Sequence, residues 1–166
     1  MTVTQAVRDA LPPLLPRLRR MARALAGDAA DADDLVQLAL ERALARADQW
    51  RPDGRLDGWV FGILRNAWLD ELRARGRRGA VFAPEEAGLS VGDDSAERRG
   101  RALHVAEAMA RLPPEQREAV VLVLIEGLSY AEAAEVLEVP VGTVTSRLAR
   151  GRAALRDLLG DEDGPP

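Results

Sequence analysis

The last third of the chain contains the pattern that most narrows its possible folds. Ser129 and Glu132 have the spacing of a capping box, in which each side chain bonds the backbone N–H of the other residue. Pro140 and Gly142 interrupt the helix that follows, and residues 143–159 then repeat apolar positions with a helical period. A short capped helix, a turn and a longer helix together predict a helix-turn-helix.

The longer helix of this pair separates an apolar stripe from a polar face. The stripe consists of Val144, Leu148, Gly151, Leu155 and Leu159. The polar positions are Thr143, Thr145, Ser146, Arg147, Arg150, Arg152 and Arg156. Arginine binds guanine edges and phosphates, so this pattern favours DNA binding over its alternative, an amphipathic helix with a solvated arginine face.

The rest of the chain also has helical periodicity, and the predicted fold class is all-α, with two small helical domains joined by a flexible linker.

A third helix, predicted over residues 58–75, has Trp59, Asn66, Asp70 and Arg73 opposite its apolar arc. Tryptophan stacks on unpaired bases, so this face suits single-stranded DNA. Two alternatives stay open: Trp59 anchors the helix on the core, and Asp70 and Arg73 form a plain ion pair.

A second helix is predicted to begin near Asp28 or Asp31 and to run to about Ala47. It combines acidic and apolar side chains on one side. Asp34, Gln37 and Glu41 are bordered by Leu38 and Leu44. Acidic groups beside exposed leucines favour a protein partner with basic residues, whereas the alternative is a solvated acidic face.

Composition excludes several classes of protein. The 166 residues include no cysteine, so disulfides and thiolate metal sites are excluded. The longest apolar run, residues 119–125, is far shorter than the roughly 20 residues of a membrane span. We find no signal peptide, nucleophile–base set, metal constellation or phosphate loop, so we expect a cytoplasmic, non-enzymatic protein without cofactor or metal.

Charge is unevenly distributed, although the net charge is only −4. Residues 115–138 hold six acids and one arginine, whereas the window around Arg147–Arg156 holds four arginines and no acid. An acidic support that carries a basic helix is consistent with DNA binding at an acidic overall pI. Residues 79–100 lack sustained periodicity and are predicted to be a linker, and residues 161–166 a disordered tail.

Three blocks in this order resemble a bacterial sigma-70 family sigma factor, and more narrowly the small extracytoplasmic-function (ECF) group. They are DADDLVQLALERAL, GRLDGWVFGILRNAWLDELRARGRR and LPPEQREAVVLVLIEGLSYAEAAEVLEVPVGTVTSRLARGRAALRDLL. The resemblance covers about residues 10–160. It implies region 2 over residues 1–78 and region 4 over residues 101–160, in a factor that binds core RNA polymerase and directs initiation from −35 and −10 promoter elements.

The resemblance also implies roles for individual residues. Binding to the polymerase β′ coiled coil is implied for Asp33, Asp34, Leu35, Gln37, Leu38 and Glu41. Recognition and melting of the −10 element is implied for Trp59, Arg65, Asn66, Asp70, Arg73, Arg75, Arg77 and Arg78, with Asn66 the best single candidate for the flipped base. Recognition of the −35 element is implied for Ser129, Tyr130, Thr143, Thr145, Ser146, Arg147, Arg150 and Arg152.

The chain departs from the family pattern at two positions. Relatives often have lysine where this chain has Thr145, and an aromatic residue where it has Leu56. The implied partners are core RNA polymerase (through the β′ coiled coil and the β flap), promoter DNA and an anti-sigma factor, with a free monomer and no membrane insertion. Two alternative functions stay open: an operator-binding helix-turn-helix regulator, and a polymerase-binding adaptor that does not read DNA.

Overall fold

The described part of the chain is all-α, as predicted from its periodicity. The structure is a computed structural model that describes residues 2–78 and 95–160. Of the predicted linker, residues 79–94 lie outside the described residues, as does the predicted tail, residues 161–166.

The first half consists of three helices, α1 (Val3–Ala26), α2 (Ala29–Ala45) and α3 (Leu56–Arg78), with a 3₁₀ turn at Ala47–Gln49. The Thr2 hydroxyl accepts from the Gln5 N–H and caps α1, and Asp28 caps α2. Gly27 lies between them with φ of 80°, a left-handed value that suits glycine at a helix end.

Helix α1 begins at Val3, several residues before the regular apolar pattern that indicates it in the sequence. The apolar period of α1 is regular from Leu14 onward, and Val7 and Leu11 extend the buried stripe toward the N-terminus. Three prolines inside the helix obscured this continuation, because proline normally disfavours a helix interior. All three are exposed, at Pro12, Pro13 and Pro16.

The second half consists of four helices, α4 (Ser95–Arg111), α5 (Pro114–Val120), α6 (Tyr130–Leu137) and α7 (Val141–Leu159). Residues 95–100, assigned to the linker from sequence, form the first turns of α4. Helix α5 continues directly into a wider π-helical turn over Val121–Ile125. The predicted capping box at Ser129 and Glu132 is confirmed, with both reciprocal hydrogen bonds present.

The two halves pack against each other around one continuous core. Leu18, Phe61 and Leu64 of the first half belong to the same buried cluster as Leu122 and Leu148 of the second. Helix α3 contacts α6, and α1 contacts both α4 and the π-helical turn. The described domains are therefore in direct contact, an arrangement that the sequence pattern did not predict.

Candidate nucleic-acid interface

Helix α7 presents the polar face predicted from its pattern. Val144, Leu148 and Gly151 are buried against the rest of the second half. On the other side Thr145, Ser146, Arg150 and Arg152 are exposed, and Thr143 and Arg147 are partly buried. The Thr145 hydroxyl donates to the Val141 carbonyl oxygen at 3.1 Å, so it is already engaged within the helix. Ser146, Arg150 and Arg152 have no hydrogen bond to the residues that the structure describes, and they are the exposed polar groups of this face.

The start of α6 adds two predicted DNA-binding residues beside α7. The Ser129 Oγ accepts from the Glu132 N–H at 3.1 Å, and the Ser129 N–H donates to the Glu132 carboxylate at 3.0 Å. Tyr130, the next residue, is exposed. The Ser129 side chain therefore holds the helix end, whereas the Tyr130 ring is available at the surface.

Helix α3 exposes the middle of its predicted polar face. Asn66 is exposed and has no hydrogen bond within the described residues. The Asp70 carboxylate, one turn further along, accepts from Arg42 of α2 at 3.1 Å and from Arg73 at 3.5 Å. The ion pair that the sequence left as an alternative for Asp70 and Arg73 is therefore present, with Arg42 as a second partner.

Trp59, at the start of α3, is partly buried and packs against the core. It lines a groove between α3 and α6 together with Leu128 and Val136. In this arrangement the indole anchors the start of α3 on the core, which is the alternative that the sequence left open for Trp59.

The arginines toward the end of α3 differ in their surroundings. Arg75 donates to Asp31 at 2.5 Å and to Glu71 at 3.2 Å, and the hydrogen bond to Asp31 raises the pKa of its guanidinium. Arg77 is exposed, and the Arg78 side chain lies outside the described part of the structure. The basic end of α3 is thus partly neutralised by α2.

Arg65 of α3 contacts the second half of the protein directly. Its Nε donates to Glu118 of α5 at 2.9 Å, and the side chains are 18% and 3% exposed. Burial raises the pKa of the Glu118 carboxyl, while the hydrogen bond from Arg65 and the charge of Arg147 act in the opposite direction. One buried carboxylate therefore lies within electrostatic reach of a predicted −10 residue and a predicted −35 residue.

Further contacts between the halves involve residues that are not among the predicted DNA-binding or polymerase-binding residues. Arg17 and Arg20 of α1 both donate to the Glu126 carboxylate, at 3.3 and 2.9 Å, and the Glu126 side chain is fully buried. Arg55 and Glu132 also form an ion pair. Arg17 and Glu126 are 109 positions apart, so no local pattern could have paired them.

Arg117 of α5 joins the halves without a carboxylate. Its guanidinium donates to the Leu25 carbonyl oxygen at 3.0 Å and to those of Ala110 and Leu112. It also lies 5.4 Å from the ring centre of Trp68, and its burial lowers its pKa.

Helix α2 carries the predicted protein-binding face. Its exposed members are Asp33, Asp34, Gln37, Leu38 and Glu41. Leu35, predicted for the same face, is only 6% exposed and belongs to the core. It therefore supports the face from beneath, while Leu38 and Leu44 supply exposed apolar side chains.

Comparison with known proteins decides the family. The family description "Sigma-70 region 2" matches residues 13–78, and "Sigma-70, region 4" matches residues 103–155. The chain belongs to the sigma-70 family. Such a factor binds core RNA polymerase and directs transcription initiation at promoters.

Similar proteins place the chain in the ECF group of that family. The ECF sigma factor EcfG of Rhodopseudomonas palustris is 38% identical, over 100% of this chain and 93% of that relative. SigM of Mycobacterium tuberculosis is 42% identical, over 87% of this chain and 72% of that relative. The sigma factor RpoE of Bartonella quintana, solved with the anti-sigma factor NepR, is 32% identical with a TM-score of 0.77, and the match covers 94% of this chain and 97% of that one.

The described residues hold neither a membrane-spanning helix nor a cluster of metal ligands. Within residues 2–78 and 95–160, no helix is long and apolar enough to span a membrane. In the same residues no three acidic or histidine side chains cluster as metal ligands would. Sigma factors are regulators of initiation, and the family match carries no enzymatic activity with it.

Proposed function

We propose that α3 recognises the −10 element and holds its melted strand, while α7 reads the −35 element. One observation supports assigning one promoter element to each helix: α3 and α7 each bury an apolar stripe and expose a polar face. These faces lie in the segments that match region 2 and region 4. Under this proposal residues 1–78 and 101–160 are the two promoter-binding domains of a cytoplasmic, non-enzymatic factor.

The exposed face of α2 is the proposed docking surface for core polymerase. Asp33, Asp34 and Glu41 supply negative charge, and Leu38 supplies apolar area at 36% exposure. Such a mixture suits a basic, partly apolar partner helix. An anti-sigma factor is the second proposed protein partner, by analogy with RpoE, which was solved with NepR.

Asn66 provides a test of the role of α3. An amide that bonds a base edge contributes about 1–3 kcal/mol, so Asn66→Ala should slow promoter opening by about five- to 150-fold. Its affinity for core polymerase should stay within about two-fold of the wild type, because within the described residues Asn66 has no hydrogen bond to the exposed face of α2. Opening is measured with a fluorescent base analogue in the −10 element, and polymerase binding by titration.

The matched control for Asn66 is Gln49→Ala, which removes another exposed amide in the same half. It should leave both opening and polymerase binding unchanged. Equal losses of opening and polymerase binding in Asn66→Ala would contradict the proposed base contact.

Arg147 provides the corresponding test for α7. It lies near the helix start, the part of a recognition helix that enters the major groove, so Arg147→Ala should relax discrimination among −35 variants by about 1–3 kcal/mol. Arg152→Ala, further along, should weaken all promoters about equally and reduce the salt dependence of binding. Binding of the holoenzyme to a panel of −35 variants measures both effects. If Arg147→Ala also weakens every promoter equally, Arg147 contacts phosphate alone.

A further inference from the structure

A cavity lies beside the C-terminal ends of α1 and α3, where they meet the first turns of α2. Its volume is about 260 Å³. Its inner wall is apolar, because it is formed by Leu25, Leu35 and Trp68, each at most 6% exposed. An engineered cavity of about 150 Å³ with leucine, isoleucine and phenylalanine walls binds benzene, so this space accommodates a molecule with two fused rings.

One wall of the cavity carries Arg117 of α5, which has no carboxylate partner within the described residues. Its hydrogen bonds all go to backbone carbonyl oxygens, those of Leu25, Ala110 and Leu112. Its Nε–H is buried and has no hydrogen-bond partner among the same residues. Because buried polar and charged groups in proteins are nearly always paired, this guanidinium is suited to bind an anion.

The mouth of the cavity carries charges that are already paired with one another. Asp31 and Glu71 both accept hydrogen bonds from Arg75, and all three residues line the mouth. Their carboxylates are 33% and 50% exposed, so solvent screens them. Arg117 lies 5.4 Å from the ring centre of buried Trp68, where screening is weaker. The anionic group of a ligand is therefore expected to face inward, toward Arg117.

We propose that this cavity binds a small organic anion, with an aromatic or branched apolar body against Leu35 and Trp68 and a carboxylate or similar group facing Arg117. Such a site lies outside promoter recognition. Of the residues predicted to contact the −10 and −35 elements, Arg75 alone lines the cavity.

Three probes of one shape and different charge test this preference in the full-length protein. They are naphthoate, naphthamide and naphthylmethylammonium, substituted at the same ring position and respectively anionic, neutral and cationic. Naphthoate should bind with a Kd between about 10 µM and 1 mM, as expected for a ligand of its size. Because a charge-assisted hydrogen bond is stronger than a neutral one, naphthamide should bind roughly five-fold more weakly, and the cation more weakly still. Isothermal titration calorimetry measures all three affinities.

The tryptophans of the chain report where the probe binds. Trp68 lines this cavity, Trp59 lines the groove between α3 and α6, and Trp50 lines neither. Naphthoate should therefore shift the NMR signal of the Trp68 indole N–H and leave the other two indole signals unchanged. The chain has three tryptophans, so Trp50→Phe and Trp59→Phe assign the signals.

Gly76→Leu tests the cavity without altering Arg117. Gly76 lines the cavity from α3, and a Cβ added there meets no atom within 4 Å. Leucine also favours a helix more than glycine does, so the variant should fold. Its side chain should narrow the mouth and weaken naphthoate binding roughly five-fold or more. The matched control is Gly62→Leu, the same exchange in the same helix with equally open space and away from the cavity, which should bind like wild type.

Arg117→Gln tests the charge itself and should abolish the preference for naphthoate over naphthamide. Arg111→Gln, at an exposed position of α4, is the matched control and should keep that preference. Arg117 holds carbonyl oxygens at the ends of α1 and α4, so circular dichroism first establishes that the variant folds. If it does not fold, the probe series and Gly76→Leu decide.

Three results would each overturn the anion site. They are no preference for naphthoate over the neutral and cationic probes, naphthoate binding that leaves the Trp68 signal unchanged, and equal affinity of Gly76→Leu and Gly62→Leu. Selective binding of naphthoate that shifts Trp68 and is lost in Gly76→Leu would support it.

Discussion

Among the described glycines, Gly151 places the strictest demand on side-chain size. A Cβ at this position would lie 2.8 Å from Val120 Cγ2 and 3.4 Å from the Gln116 carbonyl oxygen, where α7 packs against α5. Gly151→Ala should therefore lower the free energy of unfolding by about 1–3 kcal/mol, as measured by urea denaturation. Gly142→Ala, in the same helix with open space around it, should be neutral or slightly stabilising. Equal stability of the two variants would contradict the close packing.

At the scale of the element, α6 depends on its cap because it has only eight residues. Ser129→Ala removes the acceptor for the Glu132 N–H and should destabilise the second half by about 1 kcal/mol. Ser129→Asp keeps an acceptor at the same position and should retain most of that stability. Thermal unfolding of both variants measures the difference, and an equal loss in the two would show that the cap contributes little.

The elements also show which features a sequence reveals. Helix α6 and its capping box were predicted because their signals are local, within four residues. The π-helical turn after α5 has no such local signal, and the Glu126 carbonyl oxygen at its end accepts from Arg17, which is 109 positions away. The stripes of α3 and α7 located their polar faces, but could not show that Trp59 and Arg65 contact the other half.

For the whole molecule, the arrangement of the two halves is the feature that sequence reasoning could not supply. The pairs that join them are separated by 53 positions for Arg65 and Glu118 and by 106 for Arg20 and Glu126. Each partner alone resembles an ordinary surface charge. The family resemblance predicted two domains with separate tasks, whereas the structure brings one buried glutamate close to charges from both reading helices.

Transcription with purified bacterial core RNA polymerase and a library of promoter fragments tests the central claim most directly. With this protein present, we expect run-off transcripts that begin at a fixed distance downstream of a shared two-part motif. With core polymerase alone, we expect no transcripts above background. Binding to core without such transcripts would contradict promoter recognition by this chain. DNA binding without any affinity for core would contradict its action as a sigma factor altogether.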